Sequence, residues 1–263
     1  MKNHICTIFI ILFCFAAFIK AQNKSTIQGT WISENNDFIK IKEEGSRFNI
    51  LSTNEIEEQL NIMIKKDSLS FYTKYTKVGS DKIYFSKYDF YIKKMNEKQL
   101  ILIPTSELSK NLFNNRPQII FTRQEFNIDH SISFEKLIYR TTSCYGNCSI
   151  INLELDKNKN IYIHREIFND KINSGNFKGT LSEEEYARFI NILQTSNLRK
   201  WYFPEKDGSD SPITTLIIYH NGKRKYFKSM FPPAISNQLI KLLYEIGEKA
   251  QLIRTDKEKQ MEY

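Results

Sequence analysis

Thiols are almost absent from this chain of 263 residues. Cys6 and Cys14 fall in a short apolar stretch at the start, which leaves Cys144 and Cys148 alone in everything that follows. So sparse a set excludes a disulfide-dense scaffold. His130, His164 and His220 stand in unrelated places without paired spacing, so they supply no zinc ligands to go with that pair. Long apolar runs are missing as well, because Ile5 to Ile19 falls short of the roughly 20 residues a membrane span wants. Lys and Arg (38) outnumber Asp and Glu (30), yet the basic residues are dispersed among acidic ones. The want of any basic block argues against a nucleic-acid groove. There is no low-complexity tract, no internal repeat, no Gly-x-Ser-x-Gly, no His-Glu-x-x-His and no phosphate-cradling glycine loop. No catalytic residue, metal or cofactor is assigned.

What is present begins with an address. Lys2 precedes an apolar core from Ile8 to Phe18, and Ala21 offers a small residue for cleavage before Gln22. Residues 1–22 read as a cleavable secretory signal, cut near Ala21, with an uncleaved anchor as the alternative. Cys14 is a poor lipoprotein cysteine because bulky Phe13 precedes it. The mature chain is then extracytoplasmic, periplasmic or secreted, with no transmembrane segment left. Losing Lys2 and Lys20 lowers its formal charge from +8 to about +6. In an oxidising compartment Cys144 and Cys148 read as a short structural disulfide, with Gly146 permitting and Asn147 tolerating the turn between them.

Two domains follow. Residues 23–126 carry short runs of alternating apolar and aromatic residues with turn signals between them, among them Leu60, Ile62 and Ile64, Phe90-Tyr91-Ile92, and Ile119-Ile120-Phe121. No helical stripe accompanies them, so the expectation is an all-β antiparallel meander or small barrel. Its 19-Phe chain favours an interior filled by its own side chains, with Tyr72, Phe85 and Phe90 as core. A polar connector leads to residues 134–253, where the pattern changes to α+β. Strands are expected at Phe134 to Thr141 and Ser149 to Leu155. Ser182 and Glu185 form a capping box ahead of Tyr186, Phe189, Ile190 and Leu193, and Asn221-Gly222 marks a two-residue hairpin. Ile235, Leu239, Leu242, Leu243 and Ile246 mark a second helix, so the fold is an antiparallel sheet with two helices on one face. His164 and His220 are expected at exposed or half-exposed positions, and residues 254–263 form a charged tail.

Two resemblances attach to particular residues. Gly29-Thr30-Trp31 resembles the Gly-x-Trp that opens lipocalin-like domains, and Phe121-Thr122-Arg123 resembles the closing strand of small bacterial members. That likeness implies an apolar cavity for a small hydrophobic ligand. Cys144, Tyr145, Gly146 and Cys148 resemble the signature of a bacterial extracytoplasmic family of unknown function: Cys, an aromatic, Gly, any residue, Cys, then usually Pro. Arg140-Thr141, Leu181-Ser182 and Asp210-Ser211-Pro212 add to the likeness, whereas Ser149 stands where proline is usual. The family implies architecture and compartment, not an activity.

The functional expectation is an exported binding or scaffold protein of the cell envelope or secreted space. Its functional loop would comprise Tyr145, Gly146, Asn147 and Asp210, and its partner would be a small hydrophobic ligand or an envelope component. Asp207, Ser209, Asp210 and Ser211 bunch near Gly208 without the ligand ladder of a calcium loop. One rival is a weak thiol-disulfide oxidoreductase using Cys144 and Cys148. Another is a carrier that holds its ligand in the N-terminal barrel.

Overall fold

A computed structural model describes residues 27–53, 56–204, 208, 210–249, 252–257 and 259–262. The export segment 1–22, Asp207 and Ser209 lie outside the described residues. The chain divides into two compact units, Met1–Phe126 and Asn127–Tyr263.

The first unit is a closed antiparallel barrel of eight strands in sequence order. These are β1 (Gly29–Ser33), β2 (Phe38–Ile41), β3 (Asn49–Ser52), β4 (Glu57–Lys65), β5 (Ser68–Thr76), β6 (Ile83–Met95), β7 (Gln99–Pro104) and β8 (Ile119–Arg123). Closure comes from β1 pairing with β8, Trp31 opposite Arg123, so no sheet edge is left. Alternation sends Trp31, Ile39, Leu51, Leu60, Ile62, Leu69, Phe71, Phe90, Leu100, Leu102 and Phe121 inward, all buried. Trp31 donates its indole N–H to the Ile27 carbonyl at 2.9 Å, and the Arg123 guanidinium lies 4.4 Å over its ring. Gly29 makes that stacking possible: at φ +135°, a Cβ there would stand 2.8 Å from Arg123 Nη1.

Two details depart from the reading of the sequence. A six-residue helix, Glu107–Leu112, joins β7 to β8 and is closed by a Ser106/Ser109 capping box. It delivers Phe113 into the core, edge-on to Phe90 at 5.8 Å. At six residues it is too short to print a helical period. Phe90 is core as expected, but Phe85 is 49 % exposed and Tyr72 half-buried, their rings 5.9 Å apart. The cause is phase. Phe71 takes the interior, so its neighbour Tyr72 faces out, and Phe85 lies on β6 an odd number of residues from buried Phe90. The β5–β6 ladder also runs on to Thr76 opposite Ile83, whereas β4 pairs with β5 only as far as Tyr72.

The second unit is a seven-stranded antiparallel sheet of order β14-β13-β9-β10-β11-β12-β15. The strands are β9 (Phe134–Thr141), β10 (Ile150–Asp156), β11 (Asn160–Ile167), β12 (Asp170–Thr180), β13 (Thr214–His220), β14 (Lys223–Ser229) and β15 (Ile253–Arg254). Leu137, Tyr139, Ile151, Leu153, Leu155, Ile161, Ile163, Leu216 and Ile218 are buried along one face. Two helices belong with that face: Glu183–Thr195, started by the Ser182/Glu185 box, and Asn237–Lys249. The second approaches so closely that a Cβ on Gly247 would meet Ile151 Cγ2 at 2.7 Å, which is why a glycine sits inside a helix. Asn221 and Gly222 both have positive φ, 54° and 67°, as the two-residue hairpin between β13 and β14 requires.

His220 is a correction. It is 3 % exposed, and its Nε2 has no hydrogen-bond partner among the described residues. Beside a turn exposure was the expectation, but the Asn221 side chain bonds Ser131 and Ser133 and draws the connector over the hairpin end. Residues 254–263 are charged, as read, and their described part is docked on the sheet. Arg254 pairs with Phe177 of β12, and Met261 is buried.

Candidate functional site

The hairpin β9–β10 ends in the cysteine loop. Asn152 pairs with Arg140 as the last register of the two strands, and Cys144 and Cys148 follow with sulfurs 1.96 Å apart and Cα atoms 5.6 Å apart. The loop is anchored on both sides. Thr141 accepts from Ile151 N at 2.9 Å, and Ser149 donates to Glu248 at 2.8 Å, a carboxylate that also accepts from Tyr244 at 2.6 Å. Gly146 takes φ +153° and its N–H returns to the Cys144 carbonyl at 2.9 Å. Tyr145 between them is 91 % exposed, and Asn147 is exposed as well. After Cys148 the chain enters a strand, so no helix N-terminus lies there to stabilise a thiolate. Asp210 is exposed on the approach to β13, apart in sequence from the loop it was grouped with.

Beneath the loop a buried cation ties sheet to helix. Arg165 of β11 is 5 % exposed, donates Nε to the Asn173 carbonyl at 2.7 Å, and donates Nη1 to the carbonyls of Gly247 and Glu248 at 2.9 and 2.8 Å. It therefore caps the end of the Asn237–Lys249 helix, where unpaired carbonyls carry partial negative charge. Burial lowers its pKa, while Asp170 and Glu248 oppose the shift.

The opposite face of the sheet buries Ile138 and Ile217 and carries a row of polar residues. Arg140, Asn152, His164 and Asn176 stand directly opposite one another on β9, β10, β11 and β12, and all four are half-buried. His164 Nδ1 lies 2.8 Å from Asn176 Oδ1, and its Nε2 lies 3.3 Å from Glu166. Residues 257 and 259–262 cross this face as a strap. Tyr162 donates to the Lys257 carbonyl at 3.0 Å and accepts from Lys259 N at 2.9 Å. Lys259 pairs with Glu154 at 2.6 Å, Arg140 Nη2 reaches the Met261 carbonyl at 3.2 Å, and Glu262 holds Tyr219 and Arg224. Strap and sheet enclose a cleft of about 570 Å³ lined by Arg140, Asn152, Tyr162, His164, Asn176 and residues 259–261.

Reading the sequence missed this row, although a signal for it exists. The four residues recur every twelve positions, at 140, 152, 164 and 176, because three successive hairpins have equal arms. Only the strap could not be found that way.

A family model described as a domain of unknown function (DUF6438) matches residues 135–248. The match starts in β9 and ends in the last helix, so it takes in the cysteine loop and Arg165 and leaves out the strap. No curated protein matches the chain. Among the described residues no helix is long and apolar enough to cross a membrane.

Proposed function

We propose that the protein is an exported binding or scaffold protein whose recognition element is the loop between Cys144 and Cys148. The observation that carries this reading is Tyr145, an aromatic 91 % exposed at the tip of a covalently closed, doubly anchored loop. An aromatic held this way can bury a large area on a partner at little entropic cost. Signal cleavage near Ala21 supplies the oxidising compartment that such a loop needs. The likeness of Cys144-Tyr145-Gly146-x-Cys148 to an extracytoplasmic signature supports the same address.

The barrel serves in this reading as a packed, lipocalin-like module. Its support is the stacking of Arg123 on Trp31 and an interior occupied by phenylalanine, leucine and isoleucine side chains. Native mass spectrometry of protein purified from its own compartment tests the whole. The expected species begins at Gln22 or Asn23, carries one disulfide and copurifies with a macromolecular partner that a Tyr145→Ala variant releases. A lipid retained in the barrel would replace this reading with a carrier. Insulin reduction that depends on Cys144 would replace it with an oxidoreductase.

A further inference from the structure

We propose that the cleft between the polar row of the sheet and the strap binds a small hydrophilic ligand through one oxyanion, a carboxylate or a phosphate, with Arg140 and Asn152 as its main contacts. This does not rest on the Tyr145 loop. The floor of the cleft places the Asn152 amide directly between Arg140 and His164, the cross-strand neighbours on either side. Asn152 is half-buried, and its side chain has no hydrogen-bond partner among the described residues. Around it the other groups are engaged. His164 faces Asn176 and Glu166, Lys259 holds Glu154, and the Tyr162 hydroxyl both donates and accepts.

The chemistry of the lining selects the ligand. Arg140, Lys259, His164 and the amides of Asn152, Asn176 and Gln260 present nitrogen donors, and among the described residues no carboxylate lines the cleft. A metal cation would meet a guanidinium and an ammonium and be repelled. An oxyanion would accept a charge-assisted hydrogen bond from the Arg140 guanidinium, whose Nη2 also holds the Met261 carbonyl, and a second bond from the Asn152 N–H. The volume suits a small molecule, and strap residues 259–261 form the opposite wall, so the remainder of the ligand would rest against Gln260 and Met261.

The test uses the full mature chain, labelled with ¹⁵N, titrated separately with sodium phosphate and sodium succinate at constant ionic strength, with succinamide as the neutral control. We expect saturable shifts of the Asn152 side-chain amide and the His164 ring by ~10 mM, about ten times the constant of a weak specific site. Saturation by phosphate alone or by succinate alone would support the site and assign its oxyanion. An Asn152→Asp variant, nearly isosteric, places a carboxylate of its own in the oxyanion position. It should melt at a higher temperature and lose at least tenfold in affinity, while Tyr145→Ala binds as the parent does. The proposal is overturned if neither anion saturates, if succinamide shifts the same signals equally, or if Asn152→Asp binds as tightly as the parent.

Discussion

One residue and one bonded pair carry consequences that can be measured. Tyr88 donates to Glu58 at 2.6 Å, and burial, reinforced by that carboxylate, pushes its hydroxyl up to about 12. A folded value above the ordinary 10 means that the protonated form is favoured in the native state. The stabilisation is therefore complete below about pH 10 and is lost as pH rises through about 12. Tyr88→Phe should flatten the alkaline limb of a urea-midpoint profile over that window, and an unchanged limb would contradict the assignment. Cys144 and Cys148 close a loop of only three intervening residues, so little chain entropy is removed from the unfolded state. Replacing both by serine should lower stability by about 2 kcal/mol at most, read from denaturant midpoints. A loss of 4 kcal/mol or more, on the order of what a long-loop bridge supplies, would show that the loop supports more than itself.

At the scale of elements, the helix Asn237–Lys249 is fastened at its end by groups distant in the sequence. Arg165 holds two of its last carbonyls, and Glu248 joins Ser149 to Tyr244. Hydrogen bonds from a charged donor contribute about 1.5–3 kcal/mol, and here their loss would leave buried carbonyls unpaired. Arg165→Met should cost about 2–3 kcal/mol in urea denaturation and speed amide exchange in the last turn of the helix. Were only the β11–β12 hairpin to exchange faster, the capping role would be wrong. The same anchor reaches Ser149, next to Cys148, so the last helix and the exposed loop share one mechanical base.

For the whole molecule, the division at Phe126 predicts two independent folding units. The barrel closes on itself through β1 and β8, and the second unit keeps its own connector. Asp129 pairs with Arg199 at 2.8 Å, and its backbone N–H donates to the Gln194 carbonyl at 2.9 Å. A fragment starting at Asn127 should therefore fold cooperatively and give the same cross-peaks for the sheet as the full chain. One starting at Ile132 forfeits the Asp129 contacts and should be measurably less stable. If the Asn127 fragment is unfolded while the full chain is native, the units depend on each other and the division fails.

Much of this architecture was legible because it depends on short-range rules. Period two in Leu60 and Ile62, the Ser182/Glu185 box, Asn221-Gly222 and the stripe from Ile235 to Ile246 each state a local conformation without help from the rest of the chain. The closing of the barrel followed from the number of strands and the want of anything else to cover them. The candidate site was only half legible. The isolation of Cys144 and Cys148 is a property of composition, so their pairing could be read directly. The burial of His220, the outward turn of Phe85, the capping by Arg165 and the polar row under the strap depend on which residues stand opposite one another across strands. Register of that kind is set by packing of whole faces, because a shift of one residue exchanges the inside for the outside. By itself the sequence determined the elements other than the short helix Glu107–Leu112, their order and the cysteine loop. The tertiary structure alone decided which side chains meet, since burial and cross-strand pairing are properties of the assembled sheet rather than of any segment within it.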